Sequence, residues 1–448
     1  MEDILIKALQ FFLSLSLLVV LHELGHFIPA KLFGARVEKF YMFFDWKFSL
    51  FKFKKGDTEY GIGWIPLGGY VKISGMVDES MDTEQLKKEP EPWEFRSKPA
   101  WQRLIILIGG VTVNFLLAMV IYAGVMFTWG EKYLPNENLE NGVWVFDSLA
   151  TEMGFENGDK ILAINDVKIE RFSGIMGEML YGGDVQVERA DGSSEVITIP
   201  DNFIERLIDE DKKLLFMYRM PFIINSVPEN SHNLNAGIQP KDVLVSMNGE
   251  SIAFVDQFKE VAKKYKGQEV TMVVNRNGMT EQLNVQVSEE STIGVEYGIL
   301  GLNDLEKLGY YQLETHEYGL FEAIPAGINK AVGQISGYLK QLKLIFNPST
   351  GAYKGVGGFA AIGNLFPPVW DWQIFWNMTA FLSIMLAVLN LLPIPALDGG
   401  HVMFTLWEMI TGKKPSDKFM EYAQMVGILL LLSLFVFANG NDLFKFLR

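Results

Sequence analysis

The chain has 448 residues, of which 49% are hydrophobic and 21% charged, and its formal net charge is −15. This composition excludes a disordered chain, a fibrous protein and a basic nucleic-acid-binding protein, so no nucleic-acid partner is expected. Residues 131–371 carry the entire net charge, and long stretches outside that block carry no charged side chain. The pattern predicts a membrane protein that contains a water-soluble insert. Because the chain has no cysteine, disulfides and thiolate metal ligands are excluded.

Four stretches are apolar enough to cross a bilayer, which takes about 20 residues. They begin near Ala8, Leu104, Trp372 and Tyr422. The first could be a secretory signal, but its leading residues Met1-Glu2-Asp3 are acidic and no small-residue cleavage site follows it. We therefore interpret all four stretches as membrane helices.

The short loops predict the orientation of these helices. Lys and Arg concentrate between the first two helices, and three lysines separate the last two. Since such residues favour the cytoplasmic side, both termini and the 131–371 block are predicted to lie on the opposite side. Lys445 and Arg448 near the C-terminus argue mildly against this orientation.

The acidic block contains an internal repeat. Residues 153–169 align without gaps with residues 236–252, and four positions are identical: Gly154/Gly237, Asp159/Asp242, Asn165/Asn248 and Ile169/Ile252. Each copy is typical of a turn, a short buried strand and an Asn-led hairpin. The repeat resembles two PDZ domains, and a pair of small β-rich domains of another kind is the alternative.

The apolar pattern of residues 318–345 predicts one or two amphipathic helices, with Pro325 near the start of a helix or at a kink within it. They could lie at the outer boundary of the membrane or simply pack against neighbouring helices, and the sequence does not separate these alternatives.

The strongest chemical signal is His22-Glu23-Leu24-Gly25-His26 in the first membrane helix. Histidines four residues apart on a helix can bind one metal ion, while Glu23 lies close enough to act on the water that the ion activates. A pair of hydrogen-bonded histidines without metal is the alternative. Ionisable side chains in an apolar run are costly and usually functional, which favours metal.

A catalytic zinc takes three protein ligands, so one more is required. Asp398 is the best candidate, because it follows the third apolar run where Pro393 and Pro395 break the helix. His401 is the competing ligand, and a helix-end carboxylate without metal is the remaining alternative. His232 and His316, the other two of the five histidines, lie in the soluble block and are poor candidates.

Together these motifs resemble the site-2 protease family of intramembrane metalloproteases, most closely its bacterial regulator-of-sigma-E type (RseP-type) with tandem PDZ domains. HELGH occupies the first helix, and NLLPIPALDGG (390–400) fits the family pattern in the third. Residues 63–75 resemble the family's membrane-associated β-hairpin, and Gly110-x-x-x-Asn114 resembles its second-helix motif. Two departures are Phe359, where relatives usually have proline after two glycines, and Met385, where close relatives often have asparagine.

The resemblance implies a zinc endopeptidase with one Zn²⁺ per chain. It implies zinc ligands, a catalytic carboxylate and substrate contacts at these positions: His22, His26 and Asp398 on zinc, Glu23 in catalysis, and Asn390, Gly68, Gly69 and Asn114 at the substrate. Expected partners are the lipid bilayer and single-spanning membrane proteins similar to anti-sigma factors, already cut once by another protease. The expected location is the bacterial inner membrane, with the PDZ pair in the periplasm.

The predicted fold is a multi-pass α-helical membrane protein with four transmembrane helices, a membrane-associated β-hairpin and two β-rich PDZ domains between helices 2 and 3. The predicted segments follow in chain order: 1–35, first helix with HELGH; 36–100, cytoplasmic-side loop with the hairpin; 101–130, second helix; 131–218 and 219–305, PDZ domains; 306–371, amphipathic helices; 372–400, third helix with LDGG; 401–420, cytoplasmic loop; 421–448, fourth helix.

Three functional questions stay open at this stage. The segments 46–54 and 61–73 flank a turn at Lys55-Gly56-Asp57 and predict a hairpin, whose free edge could add an unwound substrate as a further strand. A purely structural hairpin is the alternative. The PDZ pair could recognise a substrate tail or exclude bulky substrates by size. A membrane-embedded PDZ scaffold and a metal-binding transporter are the competing classes, although no inverted repeat supports a transporter.

Overall fold

The computed structural model describes residues 2–76, 89–210 and 214–447. The chain forms two compact units. The first contains Met1–Gly130, Glu317–Asn347 and Tyr353–Arg448, and the second contains Glu131–His316 with Pro348–Ala352.

The first unit begins with two long helices separated by a small sheet. The elements are α1 (Glu2–Leu32), β1 (Val37–Phe44), β2 (Phe51–Lys55), β3 (Thr58–Ile62), β4 (Ile65–Ile73) and α2 (Ala100–Trp129). The two helices approach closely at Gly25 and Gly109, where a Cβ on Gly109 would lie 1.9 Å from the Gly25 carbonyl oxygen. Small residues at a membrane helix interface permit such contact between backbones.

The sheet has the order β2-β3-β1-β4, with β1 parallel to β3 and antiparallel to β4. The predicted turn at Lys55-Gly56-Asp57 is present, because β2 and β3 form a hairpin. The predicted partner of β2 was wrong in part: residues 61–73 divide into two strands, and β4 pairs with β1. The reason is Gly63, where the chain turns directly against the backbone of Phe44. A Cβ on Gly63 would lie 2.2 Å from the Phe44 carbonyl oxygen, so the turn requires a residue without a side chain.

The second unit consists of short strands and helices. Its elements are β5 (Glu131–Tyr133), β6 (Val143–Val145), α3 (Ser148–Glu152), β7 (Lys160–Ile164), β8 (Val167–Lys168), α4 (Ile175–Met179), β9 (Gly183–Glu188), β10 (Ser194–Ile199), α5 (Phe203–Asp209), β11 (Phe216–Tyr218), β12 (Ile224–Ser226), β13 (Val243–Met247), β14 (Glu250–Ser251), α6 (Val255–Lys264), β15 (Glu269–Arg276), β16 (Met279–Gln286), β17 (Glu296–Tyr297), α7 (Leu302–Lys307) and β18 (Glu314–His316). Its first and last strands, β5 and β18, pair with each other.

The two sequence repeats fold alike. The sheet order β10-β9-β7-β8 in the first copy matches β16-β15-β13-β14 in the second, and each copy adds a two-stranded pair, β6 with β11 and β12 with β17. One apolar core runs through both copies. The shared topology confirms that the sequence repeat reflects a structural repeat.

The identical residues have the same structural role in both copies. In each, the buried Asp accepts a hydrogen bond from an Arg of the following hairpin, which also donates to the carbonyl of the repeat's Gly: Arg189 to Asp159 and Gly154, and Arg276 to Asp242 and Gly237. The predicted Asn-led turns are also present, because Asn165 and Asn248 have φ values of 51° and 48°. Asparagine tolerates this left-handed conformation better than most residues.

The rest of the first unit is helical: α8 (Leu320–Ile345), α9 (Phe359–Gly363), α10 (Trp372–Leu391), α11 (Asp398–Thr411) and α12 (Asp417–Leu447). Of the described helices, α1, α2, α10 and α12 are long and apolar enough to cross a membrane, in agreement with the four predicted spans. The predicted amphipathic segment is the single helix α8. It packs against α2 at Gly327, where a Cβ would lie 2.3 Å from the Ala123 nitrogen, so the packing alternative is confirmed for this face.

The end of the third span differs from the prediction. Helix α10 stops at Leu391, and Asp398 begins a new helix, α11, rather than ending the old one. Most of the predicted 401–420 loop is therefore helical as far as Gly412, which ends α11 in the left-handed conformation. The prolines at 393 and 395 prevent α10 from continuing. Asp398 favours the start of α11, because the helix dipole stabilises a carboxylate in the first turn of a helix.

Candidate metal centre and active site

The side chains of His22, His26 and Asp398 converge on one point. The Nε2 atoms of His22 and His26 lie 3.3 Å apart, and they lie 3.2 Å and 3.3 Å from Asp398 Oδ2. Among the described residues, these three form the only cluster of His, Cys, Asp or Glu compact enough to bind a metal ion. The structure therefore brings together the three predicted ligands.

The spacing of the three atoms fits zinc. Ligands at about 2.0–2.1 Å in a tetrahedral site are separated by about 3.3–3.4 Å, close to the observed separations. Asp398 Oδ2 is buried, and apart from the two imidazole nitrogens it has no hydrogen-bond partner among the described residues, so a cation held between the three atoms would compensate its charge. Two imidazoles and one carboxylate are also a ligand set of catalytic zinc sites, which keep the fourth position for water or substrate.

Helix α2 supports both histidines from behind. The Nδ1 atom of His26 lies 2.8 Å from the Ile106 carbonyl oxygen, and the Nδ1 atom of His22 lies 3.2 Å from Asn114 Nδ2. Gly110 lies midway, and a Cβ on it would be 2.4 Å from His26 Nε2 and 2.7 Å from His22 Cε1. The positions 106, 110 and 114 share one face of α2, since residues four apart lie one above the other on a helix.

Gly110→Ala is expected to abolish zinc binding, because the added methyl group overlaps both imidazole rings. The matched control is Gly124→Ala on the same helix, where a Cβ meets no atom within 4 Å. Metal analysis of the two purified variants checks this. The prediction fails if Gly110→Ala retains as much zinc as Gly124→Ala.

The loop before Asp398 is held in an uncommon conformation. Ala396 has a φ of 81°, which is strained for a residue with a Cβ, and such strain occurs at sites that the surrounding structure fixes. The Ala396 N–H donates to Oε1 of the buried Gln424 on α12, at 3.1 Å. A Cβ on Gly427 would lie 1.6 Å from the Pro395 carbonyl oxygen, so α12 packs directly on this loop.

Glu23 shares one cavity with the three candidate metal ligands. The cavity has a volume of about 700 Å³, and its wall includes His22, His26, Asp398, His401, Gly68, Gly69 and Asn390. The Asn390 Nδ2 atom lies 3.2 Å from His22 Nε2, on the metal-facing side of that ring. The Glu23 carboxylate, the Asn390 amide and the candidate metal-binding cluster therefore surround one cavity.

Strand β4 also lines this cavity, through residues 68–73. It is an edge strand of the sheet, and it packs on α1. The contact is close at Gly69, where a Cβ would lie 2.7 Å from Val19 Cγ1 and 2.7 Å from the Tyr41 carbonyl oxygen. The register between β1 and β4 shifts between Met42 and Phe44, and Gly68 beside this irregularity has a φ of 153°. Glycine is needed at both positions for the strand to lie against the site.

Asn114, predicted to contact substrate, does not line the cavity. Its side chain is fully buried behind His22. His401, the competing ligand, lines the cavity but does not belong to the three-atom cluster. His232 and His316 belong to the second unit.

Several supporting residues escaped sequence reasoning. Gln424, Ile106 and Ser383 have no motif of their own, and Ser383 donates to the Asn114 carbonyl oxygen at 2.8 Å. The spacing of Ile106, Gly110 and Asn114 was visible in the sequence, but it becomes meaningful only once α2 is placed against α1.

At Phe359, the departure from the relatives has a structural consequence. Its N–H, which proline would lack, donates to Oδ1 of Asn439 on α12 at 3.3 Å. Met385 packs in the apolar cluster between α1 and α10.

An HExxH helix whose two histidines meet a carboxylate, in a bundle of membrane-length helices, is typical of a membrane metalloprotease. The model of Peptidase family M50 matches residues 10–434, which is most of the chain. The chain therefore belongs to Peptidase family M50, the site-2 proteases, and its metal is zinc.

Curated relatives agree over the full length. The chain is 29% identical to a Neisseria meningitidis protein named "Putative zinc metalloprotease", over 98% of this chain and 99% of that one. It is 28% identical to the regulator of sigma E protease of Haemophilus influenzae, over 97% of this chain and 98% of that one. The similarity is thus not confined to the HELGH region.

Proposed function

We propose that this zinc metalloprotease hydrolyses a peptide bond within or near the transmembrane segment of single-spanning membrane proteins. The observation that carries the proposal is the placement of the three metal-ligand atoms and Glu23 on one cavity, with the ligand histidines inside a helix that is long and apolar enough to span the bilayer. The name of the Haemophilus influenzae relative supports substrates similar to anti-sigma factors and a role in regulated intramembrane proteolysis and envelope stress signalling.

In this proposal His22, His26 and Asp398 hold the ion, and Glu23 transfers the proton. Zinc supplies Lewis acidity, which activates water and polarises a carbonyl group. Glu23 takes a proton from the attacking water as its oxygen bonds to the peptide carbon, and it gives that proton to the nitrogen as the C–N bond breaks. A carboxyl terminus and an amine result, so atoms and charge balance.

A substrate helix in lipid satisfies all its own backbone hydrogen bonds, and the enzyme must open it before attack. Strand β4 supports a solution, because β1 is its only partner among the described strands and its residues Gly68 to Ile73 line the cavity. We assign this edge to pairing with the unwound substrate, as in other cases of strand addition. Asn390 is assigned to a freed backbone group of the substrate.

The contacts near the chain termini support the predicted placement of both termini on one side of the membrane. Near the start of α1, Lys7 donates a hydrogen bond to the Asn364 side chain, and Gln10 donates one to the Pro367 carbonyl oxygen. Near the end of α12, three side chains form hydrogen bonds with backbone groups of residues 354–361: those of Asn439, Asn441 and Asp442. Both termini therefore meet the segment preceding α10, at one end of the bundle. We propose that this end faces the periplasm across the inner membrane.

Cysteine labelling tests this orientation cleanly, because the native chain has no thiol. A cysteine at Ser194 should react with an impermeant reagent in cells with a permeable outer layer, and a cysteine at Ser416 should react only after lysis. The reverse pattern would overturn the orientation.

We further propose that the two repeats are PDZ domains that exclude bulky substrates by size. Their shared strand order and their position in the chain after α2 support the assignment. A first cut by another protease would then be needed to shorten the substrate, whatever its sequence.

The proposed function is tested by cleavage of a single-spanning model protein in proteoliposomes, made with a short tail and with a bulky folded domain. Mass spectrometry should locate the new termini inside or beside the transmembrane segment of the short-tailed form, and the bulky form should be spared. A cut confined to a soluble tail would contradict the proposed reaction. Equal cleavage of both forms would remove only the size filter.

A further inference from the structure

The side chain of Asn114 forms one hydrogen-bonding contact and leaves one atom unpaired. Its Nδ2 lies 3.2 Å from His22 Nδ1, while its Oδ1 is buried and has no hydrogen-bond partner among the described residues. Burial of an unpaired amide oxygen is costly, so this residue has a role that the fold alone does not explain.

Zinc binding fixes which atom of Asn114 must face His22. When the Nε2 atom of His22 is a metal ligand, its Nδ1 carries the proton and becomes a donor. An amide nitrogen also donates, so the two groups seen in contact would repel each other. A half-turn of the amide exchanges nitrogen and oxygen at nearly the same positions, and it brings the unpaired Oδ1 to Nδ1.

The partner of His26 shows the same logic in a fixed form. Its Nδ1 lies 2.8 Å from the Ile106 carbonyl oxygen, which can only accept. Ile106 and Asn114 are two helical turns apart on α2, and each faces the outer nitrogen of one ligand histidine. Such outer hydrogen bonds orient the ring, fix its tautomer and raise its basicity as a ligand.

We propose that Asn114 is a positioning residue for zinc, whose amide oxygen accepts the Nδ1–H of His22. The inference rests on the proposed ligand set and replaces the predicted substrate contact at this position. The backbone supports the role, because the Asn114 carbonyl accepts a hydrogen bond from Ser383 on α10 and thereby ties α2 to the helix that carries Asn390.

The test measures zinc affinity of the purified full-length protein by competition with a chelator, without substrate. Asn114→Leu has the same branched shape but no acceptor, and it should bind zinc about 10–100-fold more weakly. Asn114→Asp keeps an acceptor oxygen and should bind at least as tightly as the wild type. Thr112→Val is the matched control, because its hydroxyl bonds only the Ile108 carbonyl of its own helix.

Thermal unfolding of the metal-free proteins separates positioning from general damage. If Asn114→Leu melts within a few degrees of the Thr112→Val control yet loses affinity, and Asn114→Asp restores it, the proposal holds. If Asn114→Leu binds zinc like the wild type, or if Asn114→Asp binds as weakly as Asn114→Leu, the proposal is wrong.

The same assay on His22→Ala distinguishes failure of this inference from failure of the proposed function. Zinc retained by His22→Ala would show that the ligand set itself is wrong. Zinc lost by His22→Ala but retained at full affinity by Asn114→Leu would refute only the role of Asn114, and a changed KM with unchanged zinc affinity would return it to substrate contact.

Discussion

Replacement of Glu23 by Gln should reduce cleavage of a transmembrane substrate by about 10²–10⁴-fold, the usual contribution of a general acid–base group. The amide has nearly the same size as the carboxylate but cannot take the proton from water. Zinc content should not change, because Glu23 does not belong to the three-atom cluster. Single-turnover rates in proteoliposomes and metal analysis of the same preparation provide the two readouts.

Glu2→Gln is the matched control, since Glu2 lies exposed in the first turn of the same helix. It should cleave at the wild-type rate. A Glu23→Gln variant that retains full activity would exclude Glu23 from proton transfer, and one that loses its zinc would show that Glu23 is instead part of the metal site.

Removal of any one of the three ligands should eliminate both bound zinc and proteolysis. His22→Ala, His26→Ala and Asp398→Ala each leave two ligands, whereas a catalytic zinc site needs three. The wild type should contain about one zinc per chain. Atomic absorption on the purified full-length variants, with circular dichroism to verify the fold, measures the effect.

His401 and His232 serve as controls for this series. His401 lines the same cavity without joining the cluster, and His232 lies in the second unit, so neither alanine variant should lose its zinc. If His401→Ala lost zinc while Asp398→Ala kept it, the assignment of the third ligand would be reversed.

The clustering of His22, His26 and Asp398 could be predicted because the signals for it are local in the sequence. The two histidines of HELGH are four residues apart on one helix, and that spacing alone makes them neighbours. Asp398 could be predicted for another reason. It is an ionisable residue beside an apolar run and close to two prolines, where a carboxylate must have a partner.

The contacts around the site could not be predicted, because they depend on which helices pack together. Gln424 is distant from Ala396 in the chain, and only the docking of α12 brings its amide to that backbone. The same holds for Asn114, whose motif was visible but whose partner, His22, became apparent only from the antiparallel packing of α1 and α2.

The sheet shows an intermediate case. The hairpin turn after Lys55 is a local signal, and it was predicted correctly. The pairing of β4 with β1 depends on contacts between distant residues, and alternation of apolar residues gives no indication of which strand is the partner. Nothing in the sequence indicated that Gly63 would separate β3 from β4, beyond the presence of a glycine between two stretches that contain apolar residues.

The coordination of zinc is the central claim, and X-ray absorption at the zinc K-edge of the purified full-length protein tests it most directly. The expected result is two imidazole nitrogens at about 2.0–2.1 Å, with oxygen ligands completing the shell. Three imidazoles, or only one, would contradict a site formed by His22, His26 and Asp398.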